Sequence, residues 1–175
     1  PGVSNVRNAA LANTDAQMIA FLDDDQSAQT NWLSALLDHY ETYGCAVTFC
    51  PTRTILPEPG IKHADFLSRF FSREPEHDTG CINESYGCGN SLIDLSQAPD
   101  ISPLFDTTMN DSGGEDDVLF GHVAAHGGKF GWTNATEAYE HVPLSRATLN
   151  YALRRTFSYG QGPITEARMR TPPRW

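Results

Sequence analysis

Met18-Ile19-Ala20-Phe21-Leu22-Asp23-Asp24-Asp25 decides how this chain folds, because five apolar residues run without a break into three carboxylates. A short, continuous apolar run has the character of a buried parallel strand, and open α/β sheets bind their ligands where such strands end. Three adjacent like charges repel one another. They either point to solvent or surround a divalent cation that prefers hard oxygen ligands. Taken alone the triplet leaves both readings open, since charge runs are commonly solvated turns.

The flanking sequence supplies the rest of an α/β pattern. Val3 to Thr14 carries Val3, Val6, Ala9, Ala10 and Leu11 at helical spacing, which predicts a helix with that stripe turned inward. Trp32, Leu33, Leu36, Leu37 and Tyr40 predict a second helix that stops near Gly44, followed by a strand at Ala46-Val47-Thr48-Phe49 that Pro51 ends. Alternating helix and strand is the pattern of a parallel or mixed sheet. Residues 51–88 are richer in Pro, Gly and charge, with a short helix expected from Ile61 to Phe71. They form an excursion at the ligand edge of the sheet, where substrate contacts tend to lie.

At 175 residues the chain suits one domain with a proper core. It opens at Pro1 with no leader pattern and holds no apolar run near the length of a membrane span. The expectation is a processed or fragmentary chain. Its 22 acidic against 12 basic side chains give a formal charge of −10, which argues against nonspecific nucleic-acid binding. An anionic substrate would need local compensation from a metal or a few placed arginines. Cys45, Cys50, Cys81 and Cys88 lack zinc-site spacing and read as reduced, partly buried thiols.

A second acidic cluster, Gly113-Gly114-Glu115-Asp116-Asp117, opens a helical pattern that runs to Gly127-Gly128. Acids in a first helical turn complement the helix dipole, which explains the cluster by capping alone. The paired glycines suggest more, since they permit another backbone or a substrate to approach closely. Two carboxylate clusters at element ends suit displacement at an electrophilic centre: one would hold a metal against an anionic leaving group, and the other would supply a general base.

Ser4-Asn5-Val6-Arg7-Asn8-Ala9-Ala10-Leu11, Ile19 to Asp25, Gly89-Asn90-Ser91-Leu92, Phe105-Asp106, Gly113-Gly114-Glu115-Asp116, and His141-Val142-Pro143 through Arg146 to Arg155 and Gly160 together resemble the family 2 glycosyltransferases. The segments occur in the family's order and cover nearly the whole chain. The resemblance implies a GT-A fold: an α/β domain whose mixed, mostly parallel sheet is flanked by helices. It also implies transfer of a sugar from a nucleotide-sugar donor to a glycan or lipid-linked acceptor hydroxyl, with inversion, in cell-surface or exopolysaccharide synthesis. By the same resemblance Asp23 and Asp25 are the outer acids of a D-x-D motif holding Mg²⁺ or Mn²⁺, with His141 a further metal ligand. Asp116 is the general base. Arg7, Asn8, Asn90, Glu115 and Arg155 are carried over as substrate-binding residues.

Two departures accompany it. Family members begin with a strand and helix that hold base and ribose, and nothing precedes the Arg7 helix. The expectation is therefore one domain, 1–175, lacking that leading part. Processive synthases carry Q-x-x-R-W, but Thr171 stands where the glutamine belongs before Arg174-Trp175, which points to addition of single sugars. A cytoplasmic enzyme at the inner face of a membrane, associated peripherally through further segments, fits that reading. An EF-hand starting at Asp23 fails, because Ala28 replaces the turn glycine and Ser34 the bidentate glutamate. A phosphoryl-transfer enzyme is disfavoured by the lack of a P-loop or nucleophile elbow. A noncatalytic GT-A-like sugar- or metal-binding domain is the remaining alternative. Trp132 could serve as core or as a sugar platform, with core favoured because aromatics bury well.

Overall fold

A computed structural model describes residues 2–110 and 113–157; Gly160 and the segment holding Thr171, Arg174 and Trp175 lie outside the described residues. The elements run α1 (Val3–Ala12), β1 (Met18–Phe21), β2 (Gln26–Ala28), α2 (Trp32–Tyr43), β3 (Val47–Phe49), β4 (Thr52–Ile55), α3 (Ala64–Phe71), β5 (Gly80–Ile82), β6 (Ser91–Asp94), α4 (Glu115–Ala125), β7 (Phe130–Trp132) and β8 (Ala138–His141). Residues 149–157 are helical. The predicted helices and the strands at 18–22 and 46–49 are all present, each within a few residues of its expected ends. α2 closes at Gly44, whose φ of 62° is left-handed and whose N–H bonds the Tyr40 carbonyl at 2.7 Å, the usual use of glycine after a helix.

Five strands form the main sheet in the order β1-β6-β3-β7-β5, and β2-β8-β4 form a smaller one. The sheets are mixed, as expected, but not mostly parallel. Only β3–β7 and β4–β8 run parallel; β1–β6, β3–β6, β5–β7 and β2–β8 are antiparallel. β1, expected to be a buried parallel strand, pairs antiparallel with β6 and is half-buried. The cause lies in the excursion, which returns β5 and β6 against their neighbours through loops. A parallel return needs a crossover, and β3 and β7 have one that includes α4.

The alternation of strand side chains builds two cores. Val47, Phe49, Ile93, Phe130 and Trp132 join Leu119, Phe120 and Val123 of α4, and Ile19, Phe21 and Leu11 pack against them. Trp132 is thus core. On the opposite face Leu92, Cys50, Met18 and Ala20 meet Leu36, Trp32 and Tyr40. Helices cover both faces, giving a three-layer α/β architecture. α1 departs from its predicted orientation: it buries Ser4 and Arg7, while Val6 is 66% exposed. Periodicity picked out its apolar stripe, but a buried ion pair sets its rotation.

His39 of α2 is buried against the sheet, its ring nitrogens 3.3 Å from Thr48 Oγ1 and 3.2 Å from the Gly80 carbonyl oxygen. Its ring occupies the space where a side chain at residue 131 would stand, which is why that position is glycine. Burial lowers its pKa below the ordinary 6.5. The unfolded chain therefore takes up this proton first, and the stability contributed by neutral His39 is present above about pH 6.5 and lost as pH falls further. The expected outcome is that the unfolding free-energy difference between wild type and His39→Gln, measured in urea, shrinks from about pH 7 to pH 5. A constant difference would contradict a buried neutral imidazole.

Candidate active site

Antiparallel pairing of β1 with β6 places the end of one strand beside the start of the other. Phe21 is opposite Ser91, and the Asn90 N–H donates to the Phe21 carbonyl at 2.8 Å. The Asp triplet that follows β1 therefore turns over the loop Gly87-Cys88-Gly89-Asn90. The Asp23 carboxylate rests where a Gly89 side chain would be, so any side chain there would displace it. On the loop's other side Asp116 Oδ2 accepts the Cys88 N–H at 3.1 Å and lies 3.3 Å from a Cβ position at Gly87. The two acidic clusters meet across one tripeptide.

β8 completes the edge. The His141 N–H donates to the Asp25 carbonyl at 2.8 Å, and Glu140 is the register partner of Gln26. His141 itself is exposed and its Nε2 lies 2.7 Å from Ser27 Oγ. Its neighbour Glu140 points the other way along the pleat, toward the acids. Burial, followed by the charge of Asp25, pushes the Glu140 carboxyl up to about 7. Asp23 is also raised, first by burial, with Arg7 opposing and Asp25 and Asp116 adding to the rise.

Three arginines face these acids. Arg7 is buried, with Nη1 donating to Glu115 Oε1 at 2.6 Å and Nη2 3.5 Å from Asp23 Oδ1, and its guanidinium lies over the rings of Phe21 and Phe105. Arg73 lies over Tyr86 and donates to the carbonyls of Gly87 and Gly89 at 3.4 and 3.3 Å. Arg146 Nη1 donates to Asp25 Oδ2 at 3.0 Å.

Of the expected site residues, Asp23, Asp25 and Asp116 gather around the loop. Arg7, Asn8, Glu115 and Asn90, expected at the substrate, are held by contacts within the fold. Asn8 exchanges two hydrogen bonds with the backbone of Phe105, at 2.7 and 3.0 Å. Asn90 is fully buried: its Oδ1 accepts from Trp32 Nε1 and Cys50 Sγ, and its Nδ2 donates to the Cys50 and Pro51 carbonyls and to Thr52 Oγ1. Arg155 is exposed on helix 149–157, and Arg146 reaches Asp25 of the triplet.

Gly113 and Gly114 have φ of 73° and 91°, and a side chain on Gly113 would meet nothing within 4 Å. Left-handed backbone, not close approach, is what demands glycine there. Arg73 and Glu140 carried no local signal. Arg73 arrives through a backbone bridge to Thr52, and Glu140 depends on β8 being recognised as a strand.

Among the described residues no group of three or more His, Cys, Asp and Glu side chains is arranged to hold a metal ion. The donor set nevertheless fits one. Asp23 and Asp25 offer hard oxygens, they crowd each other with like charge, and the bare Cα of Gly89 leaves the carboxylate room.

Residues 1–96 match the family model for glycosyl transferase family 2. The chain is 31% identical over 162 residues to the succinoglycan biosynthesis protein ExoM of Rhizobium meliloti strain 1021, an alignment covering 91% of this chain and 51% of ExoM. The chain spans about half the length of that relative. Among solved structures it resembles S. aureus TarS 1–349 in complex with UDP, with a TM-score of 0.56, 14% identity, and coverage of 81% of this chain and 40% of TarS. The TarS complex with UDP-GlcNAc gives a TM-score of 0.52 at 12% identity, covering 82% of this chain and 39% of TarS. This chain belongs to glycosyltransferase family 2 and has the GT-A fold.

The Arg7–Glu115 pair makes a thermodynamic prediction. Arg7→Met leaves Glu115, 5% exposed, as a buried charge with its partner removed, a change that costs about 3–5 kcal/mol in such pairs. Arg7→Met combined with Glu115→Leu is expected to recover most of that loss in chemical denaturation. Equal stability of the single and double variants would exclude the pair as the clamp of α1 on α4.

Proposed function

We propose that this family 2 glycosyltransferase moves a sugar from a nucleoside-diphosphate donor to an acceptor hydroxyl with inversion. The observation that carries the reading is the tripeptide Gly87-Cys88-Gly89, with Asp116 at one end and Asp23 at the other. A base and a diphosphate site on either side of a narrow, side-chain-free ridge leave the space between them for an anomeric carbon. Asp116 takes the proton of the acceptor hydroxyl as its oxygen attacks that carbon from one face. The bond to the diphosphate breaks on the other, and the nucleoside diphosphate leaves with the electron pair. One attack from the face opposite the leaving group inverts the centre.

Asp23 and Asp25 would hold a Mg²⁺ or Mn²⁺ ion, which when bound neutralises charge on the leaving diphosphate. His141 becomes available to it only by giving up Ser27. Arg146 and Arg73 hold positive charge at the same edge. Asp116 is kept in place by accepting the Cys88 N–H at Oδ2 and the Asp117 N–H at Oδ1, which leaves each oxygen a lone pair to receive a proton. UDP in TarS supports a uridine-type donor, and the name of ExoM supports a role in exopolysaccharide synthesis; addition of single sugars is part of the same proposal. The acceptor on this reading is a glycan or lipid-linked saccharide, met by a cytoplasmic enzyme at the inner membrane face.

Asp116→Asn keeps the side chain's size and removes its basicity, and transfer is expected to fall about 10²–10⁴-fold while donor binding survives. Wild-type turnover, or a product that keeps the donor's anomeric configuration, would refute the single-base inverting mechanism. Gly89→Ala tests the other end of the ridge. Its methyl group displaces the Asp23 carboxylate, a flexible group, so the fold should persist while calorimetric binding of Mn²⁺ with UDP weakens about tenfold or more, corresponding to loss of one charge-assisted contact. Unchanged Mn²⁺-dependent binding would remove Asp23 from the metal site.

A further inference from the structure

Cys45, just before β3, and Cys81, in the middle of β5, stand with their sulfurs 3.5 Å apart. They come from strands that are not neighbours. β7 lies between β3 and β5, and Cys81 is the register partner of Gly131 on β7. The Cys45 sulfur lies 3.0 Å from the position a Cβ of Gly131 would take. The thiols thus meet over a backbone that has no side chain to separate them.

The other two cysteines have different surroundings. Cys50 is buried and donates to Asn90 Oδ1 at 3.0 Å, Cys88 is fully buried, and burial pushes both thiols up to about 12. Cys81 is exposed and Cys45 is buried directly beneath it. Burial and the bond to Cys81 also raise Cys45 to about 12, with nearby Lys129 acting in the opposite direction. An exposed thiol touching a buried one is the arrangement of an attacking and a resolving cysteine.

We propose that Cys45 and Cys81 form a disulfide when the protein meets a small-molecule disulfide such as oxidised glutathione. The Cys81 thiolate attacks one glutathione sulfur, forming a mixed disulfide and releasing a glutathione thiolate. Cys45 then attacks the Cys81 sulfur, gives its proton to the second departing glutathione thiolate, and closes the protein disulfide. The two cysteines lose two electrons and two protons in all, and one glutathione disulfide becomes two thiols. The sulfurs close from 3.5 Å to about 2.05 Å.

The bond would fasten β5, an edge strand of three residues, to the entrance of the central strand β3. It would tie down the far end of the excursion that carries Arg73. Closing a loop of this length constrains the unfolded chain, and for a domain this size the expected rise in Tm is on the order of 5–10 °C.

The test is to incubate the full chain with oxidised glutathione, quench with iodoacetamide, then unfold and map it. The expected result is loss of two of the four thiols, a mass lower by about 2 Da and a single Cys45–Cys81 peptide. Tm should rise, and dithiothreitol should reverse both changes. Cys81→Ser, at an exposed position that the fold tolerates, should keep its remaining thiols, and Cys50→Ser should still lose two. A lasting glutathione adduct on Cys81 with Cys45 reduced, a dimer joined through Cys81, or oxidation spread over Cys50 and Cys88 would each overturn the proposal.

Discussion

The Arg7 guanidinium is buried between the carboxylate of Glu115 and that of Asp23, with the rings of Phe21 and Phe105 against it. A charge taken out of water needs partners on every side that water formerly occupied. Four separate segments supply them: α1 the arginine, β1 one ring, the loop before α4 the other, and α4 its first residue. Elements that share few apolar contacts are thereby held in register. The same contact explains why α1 turns Val6 to solvent and Arg7 inward, against the periodicity of its apolar residues. The aromatic faces and the short Nη1 contact offset a desolvation that an apolar seam would not incur, and in return the start of α4 is placed relative to the end of β1.

That placement matters because the proposed chemistry lies between those two ends. The β1–β6 pairing sets the depth of the loop at 87–90, and buried Asn90 fixes its exit by tying Trp32, Cys50, Pro51 and Thr52 to one amide. Asn90 is left-handed, with φ of 68°, a conformation asparagine accepts more readily than most residues. The pair of glycines on the ridge is constrained differently at its two ends. A Cβ at Gly89 would fall on the Asp23 carboxylate, and one at Gly87 would press on Arg73 Nη2 and Asp116 Oδ2 at 3.0 and 3.3 Å. Asn90, Arg7 and Glu115 are polar and buried, and Asp23 and Asp116, the residues proposed to act on substrate, are polar and more exposed, so residue type alone does not separate them.

This is where sequence reading succeeded and where it stopped. The apolar run into Asp23-Asp24-Asp25 located a strand end and an acidic edge, and Gly113-Gly114 located the start of α4, because both signals are local. Periodicity of 3.6 found α2 for the same reason. The antiparallel returns of β5 and β6 are not local, and neither a parallel expectation nor an alternation of helix and strand carries their direction. Arg73 and Glu140 are visible only once β4 and β8 are in place. Arg7, Asn8, Asn90 and Glu115 stand out by motif as substrate-binding residues. The burial of Arg7, Asn90 and Glu115, and the contacts that all four make within the fold, are what no single sequence displays.

The electrostatics of the edge follow from this division of labour. Asp23, Asp25, Glu140 and Asp116 converge on one loop, while Arg7 is largely occupied by Glu115 and Arg146 by Asp25. Burial is the larger cause of the upward displacement of Asp23 and of Glu140, and the neighbouring acids add to it. Carboxylates that gain energy by holding protons gain more from a divalent cation, whose double charge serves two of them at once. Such a cation brings in turn a need for further oxygens, which a diphosphate meets. Asp116 stands apart from this exchange, since two backbone N–H groups orient its carboxylate. The edge thus sets Asp23 and Asp25, which crowd each other, apart from Asp116, whose carboxylate two backbone N–H groups orient, with Gly87 and Gly89 between them; on the proposed mechanism the pair holds the cation and the third acid takes the proton.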